Sequence, residues 1–518
     1  MPYDVVIVGA GPNGLLMAGE LALAGVDAVV LERLPEPATR PKANGLVGRV
    51  VEALDRRGVY ELFSGHDGPP RPAPHFPFGA IPLDLAPVAG HSLYALPIPQ
   101  RRMEELLAQR AEALGAEIRR GHEVTAIDQT AETVTVDVLG PAGPHRIDAR
   151  YLVAADGGTS AIRKQLGIGF PGITDEGFVS RAGQVGIAAP VAVPGTGELD
   201  VPGIGRLAPA SFTRTDTGLF AFGMFEPGVY RVSAFEWGET GVEDSDDIPL
   251  DELAAALHRV LGAELPLIPL PGGRPHDLRR HVGVNSRQAD RYRHGRVFLV
   301  GDAAHVHSGV GGPGLNLGMQ DVLNLGWKLA AAVHGTAPAG LLDTYESERR
   351  PAGERVIMHT RAQSALLSPG PNTTALRSLL GELLEDATAV RRIADLMAGA
   401  DLRYPPRSDG PLHPLTGRWA PDLPLRVGGR DTRLAALLRK ARPVLLDLSG
   451  AADLPAAATG WTDRVDVVSA TTPEPPADVL LVRPDGYVAW AGARDAAGLR
   501  QALQVWFGAP ALSAAGVA

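Results

Sequence analysis

The sequence contains no cysteine, which excludes disulfides, thiolate catalysis and cysteine-ligated metals. Lysine is almost missing too: of 49 cationic side chains only Lys42, Lys164, Lys328 and Lys440 are lysines. Positive charge is in deficit overall. The formal net charge of −10 argues against a nucleic-acid partner and against an anionic membrane surface. No apolar run reaches the roughly 18 residues of a membrane-spanning helix. The chain opens on a short β-branched run rather than on a basic segment leading into an apolar one, so no secretory signal is expected. With no cysteine, a cytoplasmic location fits. No internal repeat is visible. What is present is a chain of 518 residues, long enough for two or three domains each with its own core.

The most organised stretch runs from Tyr3 to Arg33. Val5 to Val8 suit a buried parallel strand. The turn GAGPNG follows, with Pro12 and Asn13 set between Gly9, Gly11 and Gly14. An amphipathic helix should come next, with Leu15, Leu16, Ala18, Leu21 and Ala22 inward. A second strand from Asp27 to Leu31 then ends at Glu32. Gly9 permits a tight turn, Gly11 lets the backbone approach a pyrophosphate, and Gly14 lets helix and strand pack closely. The helix N-terminus offers N–H groups and a positive dipole end to phosphates, and Glu32 can accept from ribose hydroxyls. This order of elements points to dinucleotide binding, without saying which dinucleotide.

Beyond Glu32, the cations Arg40 and Lys42 precede a helix expected over Val47 to Gly58. They suit either a phosphate contact or a solvated loop. Phe63 to Ala95 is irregular and rich in proline. Gln100 to Leu114 reads as a helix, followed by short strands at 117–119, 122–129, 133–139 and 145–149. The strand Tyr151 to Ala154 runs into Asp156 and Gly157, a pattern open to a ligand loop or to a plain turn with a helix cap. From Phe170 to about Gly283 the texture changes to alternating runs such as 219–225 and 230–237, the mark of half-buried antiparallel strands. Much of the small aromatic content falls here: Phe212, Phe222, Phe225, Tyr230 and Phe235 suit a sheet over an apolar ligand.

Arg296 to Val300 is again a buried strand, and Gly301-Asp302 opens a glycine-rich loop that runs to Asn316 before a helix over Leu317 to Val333. An acid at a strand's carboxyl end lies where α/β sheets bind ligands, and the loop brings backbone N–H groups to one point that can stabilise negative charge. His305 and His307 stand two apart, with no acid or cysteine beside them, and read as packed or hydrogen-bonded side chains rather than metal ligands.

The three motifs GAGPNG with Glu32-Arg33, AADGGTSAIR at 154–163 and GDAAHVHSGVGGPGLN at 301–316 together resemble the FAD-dependent aromatic hydroxylases, the single-component flavoprotein monooxygenases. Within that family the chain looks most like the bacterial aromatic-polyketide hydroxylases and rifampicin monooxygenases. The tail TYESERRPAGERV at 344–356 resembles it as well. The resemblance implies an α/β fold: a Rossmann-like FAD-binding domain, an inserted antiparallel-sheet substrate domain and a thioredoxin-like C-terminal domain. It implies cofactors FAD and NAD(P)H, an aromatic small-molecule substrate and molecular oxygen, and leaves room for a homodimer. Gly9, Gly11, Pro12, Asn13 and Gly14 would hold the FAD pyrophosphate, with Glu32 on the adenosine ribose and Arg33 near the adenine. Arg40 and Lys42 would lie by the pyrophosphate and the nicotinamide path, where the family usually has arginine at the second position. Gln100 and Arg101 would meet the flavin ribityl and phosphate. Val124, Asp156 and Gly157 belong to the same cofactor set, and Asp302 would bind the ribityl chain. Gly309, Gly311, Gly312, Gly314, Leu315 and Asn316 would surround the flavin ring edge. Pro313 joins the aromatics on the substrate side. Where the family commonly has Pro-Pro and Gln, this chain has Ser308-Gly309 and Pro313.

The chemistry implied is reduction of flavin by NAD(P)H, oxygen addition to give a C4a-hydroperoxide, and hydroxylation of a phenolic ring, so that no catalytic side chain is assigned. Baeyer–Villiger insertion beside a ketone is an alternative, and a flavin-bound protein that only holds a polyketide is another. Ser364 to Gly399 reads as helical with a break at 369–372. From about His413, strands at 442–448, 465–470, 479–482 and 487–491 and a helix at 495–506 resemble the thioredoxin-like domain of polyketide and phenol hydroxylases. With no cysteine, structural support or an oligomer contact is its expected role. The expected division is 1–169 with 284–365 for FAD, 170–283 with part of 70–97 for substrate, 366–412 as a helical connection and 413–518 as the last domain.

Overall fold

The computed structural model of the protein describes residues 3–37, 43–209, 211–274, 276–407, 412–450, 454–493 and 495–511. Its centre is a parallel sheet. The strand Tyr3–Val8 lies between Ala28–Glu32 and Gly143–Ala154, with Glu117–Arg120 outside the former and Val297–Leu299 outside the latter. Val5, Val6 and Ile7 are wholly buried, as strands covered on both faces must be. The helices α1 (Pro12–Leu23), α2 (Arg49–Arg56), α3 (Tyr60–Ser64), α4 (Gln100–Ala113) and the short α5 (Ala161–Gln165) belong to this half, and α1 packs on α4. Glu123–Gln129 and Val134–Gly140 form an antiparallel ribbon onto the front of Gly143–Ala154. The last is one continuous strand where two were expected. No turn-forming residue separates Ala149 from Tyr151, and Arg150 extends sideways to donate to the Val333 carbonyl at 2.7 Å.

The second sheet is antiparallel, in the order Phe212–Arg214, Gly218–Glu226, Val229–Trp237, Gly172–Ile187, Arg279–Gln288 and His305–Val306. One face carries Phe220, Phe222, Tyr230, Val232 and Ala234 against Leu253 and Leu257 of α6 (Leu250–Leu261). The two-residue strand His305–Val306 pairs with Arg287 and Gln288, so the loop leaving the parallel sheet at Leu299 is stitched onto the edge of the second sheet. After that loop come α7 (Pro313–Val333) and α8 (Asp343–Leu367), then α9 (Pro371–Leu383) and α10 (Ala387–Ala398). A hairpin, His75–Phe78 with Ile81–Asp84, packs its Phe78 and Ile81 on Leu366, Val390 and Met397 of these helices. Among the described residues no helix is long and apolar enough to cross a membrane.

The last unit is a four-stranded sheet in which Val444–Asp447 is parallel to Asp466–Ser469 and antiparallel to Val479–Val482, which is antiparallel to Val488–Gly492. A closing helix, Ala496–Phe507, packs with Trp461 and with Trp327 of α7. The same junction holds a buried charge cluster. Arg483 donates to Glu348 at 2.6 and 2.8 Å and to Asp485, while the Lys328 ammonium meets Glu348 at 2.7 Å. The Arg483 guanidinium also lies 4.7 Å from the Trp506 ring centre and 5.1 Å from that of Tyr404, inside cation–π range. The fold is the mixed α/β arrangement expected, with a largely parallel sheet, an antiparallel sheet and a separate C-terminal sheet.

Candidate active site

The site is built where strand ends meet. Val8 stands in register with Leu31 and with Ala154, and Ala154 with Leu299, so Gly9, Glu32, Asp156 and Asp302 all leave the sheet on one side. Gly9 has φ +104°, and a Cβ there would lie 2.5 Å from the Ala155 carbonyl oxygen. A Cβ on Gly14 would strike the Gly9 carbonyl. Gly11 differs: its φ is −75°, and a Cβ there would meet no protein atom within 4 Å. Gly9 and Gly14 are thus demanded by the protein's own packing, while Gly11 faces open space before α1. Pro12 opens that helix, which has no side-chain cap and no acid in its first turn. An uncapped N-terminus of this kind favours an anion. Glu32 accepts from the N–H of Ala10 at 2.7 Å and of Leu34 at 2.9 Å, which pins the turn and leaves further lone pairs for a ribose. Arg33 beside it is exposed. Asn13 nests against Gly301 and Gly318, and its Oδ1 is buried with no partner among the described residues.

Asp156 accepts from the Ile162 N–H at 3.2 Å through Oδ2, and its buried Oδ1 has no described partner. Gly157, at φ +83°, leaves open space beside it. Arg163 ties this turn to the third motif, donating to the carbonyls of Ala303 at 2.9 Å and Gly158 at 3.0 Å. Asp302 is exposed. Gln100 donates to Glu104 at 2.7 Å, and Arg101, also exposed, pairs with Glu105 at 3.2 Å. Val124 is buried in the antiparallel ribbon, paired with Val138. Arg40 and Lys42 lie outside the described residues.

Behind the glycine-rich loop sits a buried ionic chain that the motifs alone did not reveal. The His305 Nε2–H donates to Asp321 at 2.7 Å, Arg349 donates to the other Asp321 oxygen at 2.8 Å, and Arg349 continues to the Tyr404 hydroxyl at 2.9 Å. Burial works against the charge on Asp321, but His305 and Arg349 overcome it and hold the carboxyl below its ordinary value. His307 donates its Nδ1 hydrogen to the Ser308 carbonyl at 2.9 Å, and burial takes its pKa down to about 4, so Nε2 is a bare lone pair. Ser308 is buried; Gly309 is exposed, with nothing within 4 Å of a Cβ. Gly311 and Gly312 have φ of +79° and +68°, and Gly312 precedes α7 with no side-chain cap. Pro313 is buried at the first helical position. Gly314 lies against His307, Leu315 is half-buried, and Asn316 acts as a brace: it accepts from the Val47 N–H at 2.7 Å and donates to the Gly312 carbonyl at 2.6 Å. The first turn of α7 holds no acid, so its dipole end is free to meet negative charge.

The second sheet corrects part of the expected substrate set. Phe222 and Tyr230 face α6 and are buried in its core, and Phe222 stacks on Phe220 with ring centres 5.4 Å apart. The physical reason is the two-residue period of a strand: both share a face with Val232 and Ala234. Phe235 is on the opposite face, stacked on Phe178 at 5.9 Å, and Phe212, opposite Ala221, is also on that face and exposed. The side chain of Phe225 lies outside the described residues. Also missed in the sequence were His359 and Gln363 on α8, both fully buried beside the glycine loop. Their only sequence signal is a polar pair one turn apart on a helix.

These features fit FAD. The open space at Gly11, the unpartnered oxygens of Asn13 and Asp156, and two uncapped helix N-termini call for a phosphate-bearing group with a polar ring. Comparison with known proteins agrees. Residues 2–360 match the family model described as FAD binding domain, and 413–510 match that described as aromatic-ring hydroxylase, C-terminal. The 12-dehydrotetracycline 5-monooxygenase/anhydrotetracycline 6-monooxygenase of Streptomyces rimosus is 43% identical, over 99% of this chain and 100% of its own. The rifampicin monooxygenase of Streptomyces venezuelae is 39% identical, over 98% and 99%. The solved structure of an anhydrotetracycline hydroxylase from Streptomyces rimosus superposes with a TM-score of 0.86 at 42% identity, covering 99% of this chain and 100% of that one.

Proposed function

The chain belongs to the FAD-binding aromatic-ring hydroxylases, a family of monooxygenases, and on that premise we propose that it hydroxylates a polycyclic phenol of the aromatic-polyketide kind, consuming NAD(P)H and molecular oxygen. The observation that carries this reading is the uncapped start of α7 behind a loop that is open at Gly309, stitched to an antiparallel sheet whose far face bears Phe235 and Phe212. FAD, when bound, supplies the oxygen-activating chemistry at its C4a position. The chain's own residues do the rest. Gly11, Pro12, Asn13 and Gly14 would receive the pyrophosphate, Glu32 the ribose and Asp302 the ribityl hydroxyls. The N–H groups from Gly314 to Asn316 would offer preorganised donors to negative charge on the bound flavin ring. Phe235 and Phe212 cover the substrate and exclude water. The same reading assigns 1–169 with 284–365 to the cofactor, 170–283 with part of 70–97 to the substrate, 366–412 to a helical connection and 413–518 to support of the whole, and leaves room for a homodimer.

The test uses purified FAD-loaded protein, anhydrotetracycline as probe, labelled O₂, and NADH or NADPH. One labelled oxygen on an aromatic carbon of the product, with nicotinamide oxidation in step, is expected. A ring-opened or lactone product would replace hydroxylation by Baeyer–Villiger insertion. Binding without nicotinamide oxidation, for this probe and for rifampicin, would leave only a holding role.

A further inference from the structure

Gln363 and His359 form a hydrogen-bonded pair whose direction can be read. The Gly79 N–H donates to the Gln363 amide oxygen at 3.1 Å, which fixes the amide: oxygen toward Gly79, nitrogen toward the histidine. That nitrogen lies 3.2 Å from His359 Nδ1, so the amide donates and Nδ1 accepts. Burial, with His307 and Arg355 nearby, holds the ring's pKa at about 4, so the imidazole is neutral and its single hydrogen sits on Nε2. Nε2 is buried and has no partner among the described residues. His359 as a whole is 1% exposed.

A buried N–H with nothing to accept it is costly, on the order of 1–3 kcal/mol, and is rarely kept without use. The pair sits where three parts of the site converge. Gly79 belongs to the turn of the 75–84 hairpin, and a Cβ on Gly311 of the glycine loop would lie 3.1 Å from the Gln363 amide. His307, on the same loop, carries an acceptor lone pair on Nε2, yet the His359 Nε2–H makes no hydrogen bond to it or to any other described residue. We infer that His359 is a substrate-positioning residue that donates its Nε2 hydrogen to an oxygen on the bound aromatic ring, a phenolic or ring-carbonyl oxygen, and that Gln363 fixes the tautomer this requires. The inference rests on the monooxygenase reading for the presence of an aromatic substrate, and adds which atom of it is held. A ring with no oxygen at that place leaves the donor unpaired and binds more weakly.

The test is equilibrium dialysis of the FAD-loaded protein against 1-naphthol and against naphthalene, taking the ratio of the two affinities. In His359→Phe the ratio is expected to fall about tenfold in disfavour of the naphthol, with FAD affinity unchanged. His359→Gln, whose amide N–H can stand in for Nε2–H, should keep the ratio within about threefold of the native value. Gln363→Leu frees the tautomer and should lower the ratio with residue 359 in place, which preserves the test should the phenylalanine variant not fold. A ratio unchanged in both His359→Phe and Gln363→Leu overturns the inference. So does a loss of FAD affinity with the ratio intact, which would make the cofactor the acceptor. The labelled-oxygen experiment reads separately: an unlabelled product with a fallen ratio removes the monooxygenase and keeps His359, and the opposite pair of results does the reverse.

Discussion

Gly11 and Gly14 stand three residues apart and answer to different neighbours. A methyl on Gly14 meets the Gly9 carbonyl, so Gly14→Ala should lower the melting temperature of the cofactor-free protein by several degrees. A methyl on Gly11 meets no protein, so Gly11→Ala should leave that melting temperature alone and weaken FAD binding at least tenfold, measured by fluorescence titration. The histidines carry a second expectation. His307 and His359 are held at about 4 in the fold, mainly by burial, against an ordinary 6.5. Between those values the unfolded chain binds the more protons, so the stability they contribute is whole above pH 6.5 and falls as the pH drops through 4. For His359 the loss is on the order of 2 kcal/mol by pH 5. Thermal melts from pH 7.5 to 5 should show the decline, and His359→Gln should remove about half of it, His307 keeping the rest. Glu348 acts lower down. Burial opposes its charge, but Arg483 and Lys328 hold its pKa at about 2, so its contribution is lost only below its ordinary 4.5.

At the scale of elements, the antiparallel sheet separates two phenylalanines that the sequence makes look alike. Phe222→Ala opens a hole under α6 and should cost about 3–5 kcal/mol in denaturant unfolding. Phe235→Ala, on the other face, should cost less stability and raise KM for the aromatic substrate. The alternating runs at 219–225 and 230–237 reveal two strands but not which face meets α6, because α6 itself went unread. Its signal was there: Leu253, Leu257, Val260 and Leu261 at helical spacing, between Pro249 and the left-handed Gly262. The long strand Gly172–Ile187 was hidden for another reason. Its charged and glycine-rich sequence looks like a loop, yet Arg181 is buried in it and pairs with Glu236 at 2.6 Å and Glu252 at 2.8 Å. The nucleotide-binding strands and α1 were legible because Gly9 and Gly14 have local backbone reasons and the apolar periods on either side of them are regular. The chain His305–Asp321–Arg349 was not, since it joins residues from a loop and two helices that only tertiary packing brings together.

Across the whole molecule, the C-terminal unit is bound to the cofactor half through charge. Arg483→Leu would leave Glu348 and Asp485 short of their guanidinium in a dry interior, a loss of about 3–5 kcal/mol. A guanidinium chloride titration that shows an unchanged midpoint for this variant would contradict the assignment. Removing everything after Arg407 takes Trp506 and Phe507 from Trp327, the Tyr487 stack from Tyr404 and Arg483 from Glu348 at once, and should yield little folded protein able to retain FAD. The Arg483–Glu348 contact spans 135 positions of chain. A ribosome releases Glu348 and Lys328 long before it has made the arginine that completes their cluster. Until the final sheet emerges, Glu348 has Lys328 but not the guanidinium that completes its cluster.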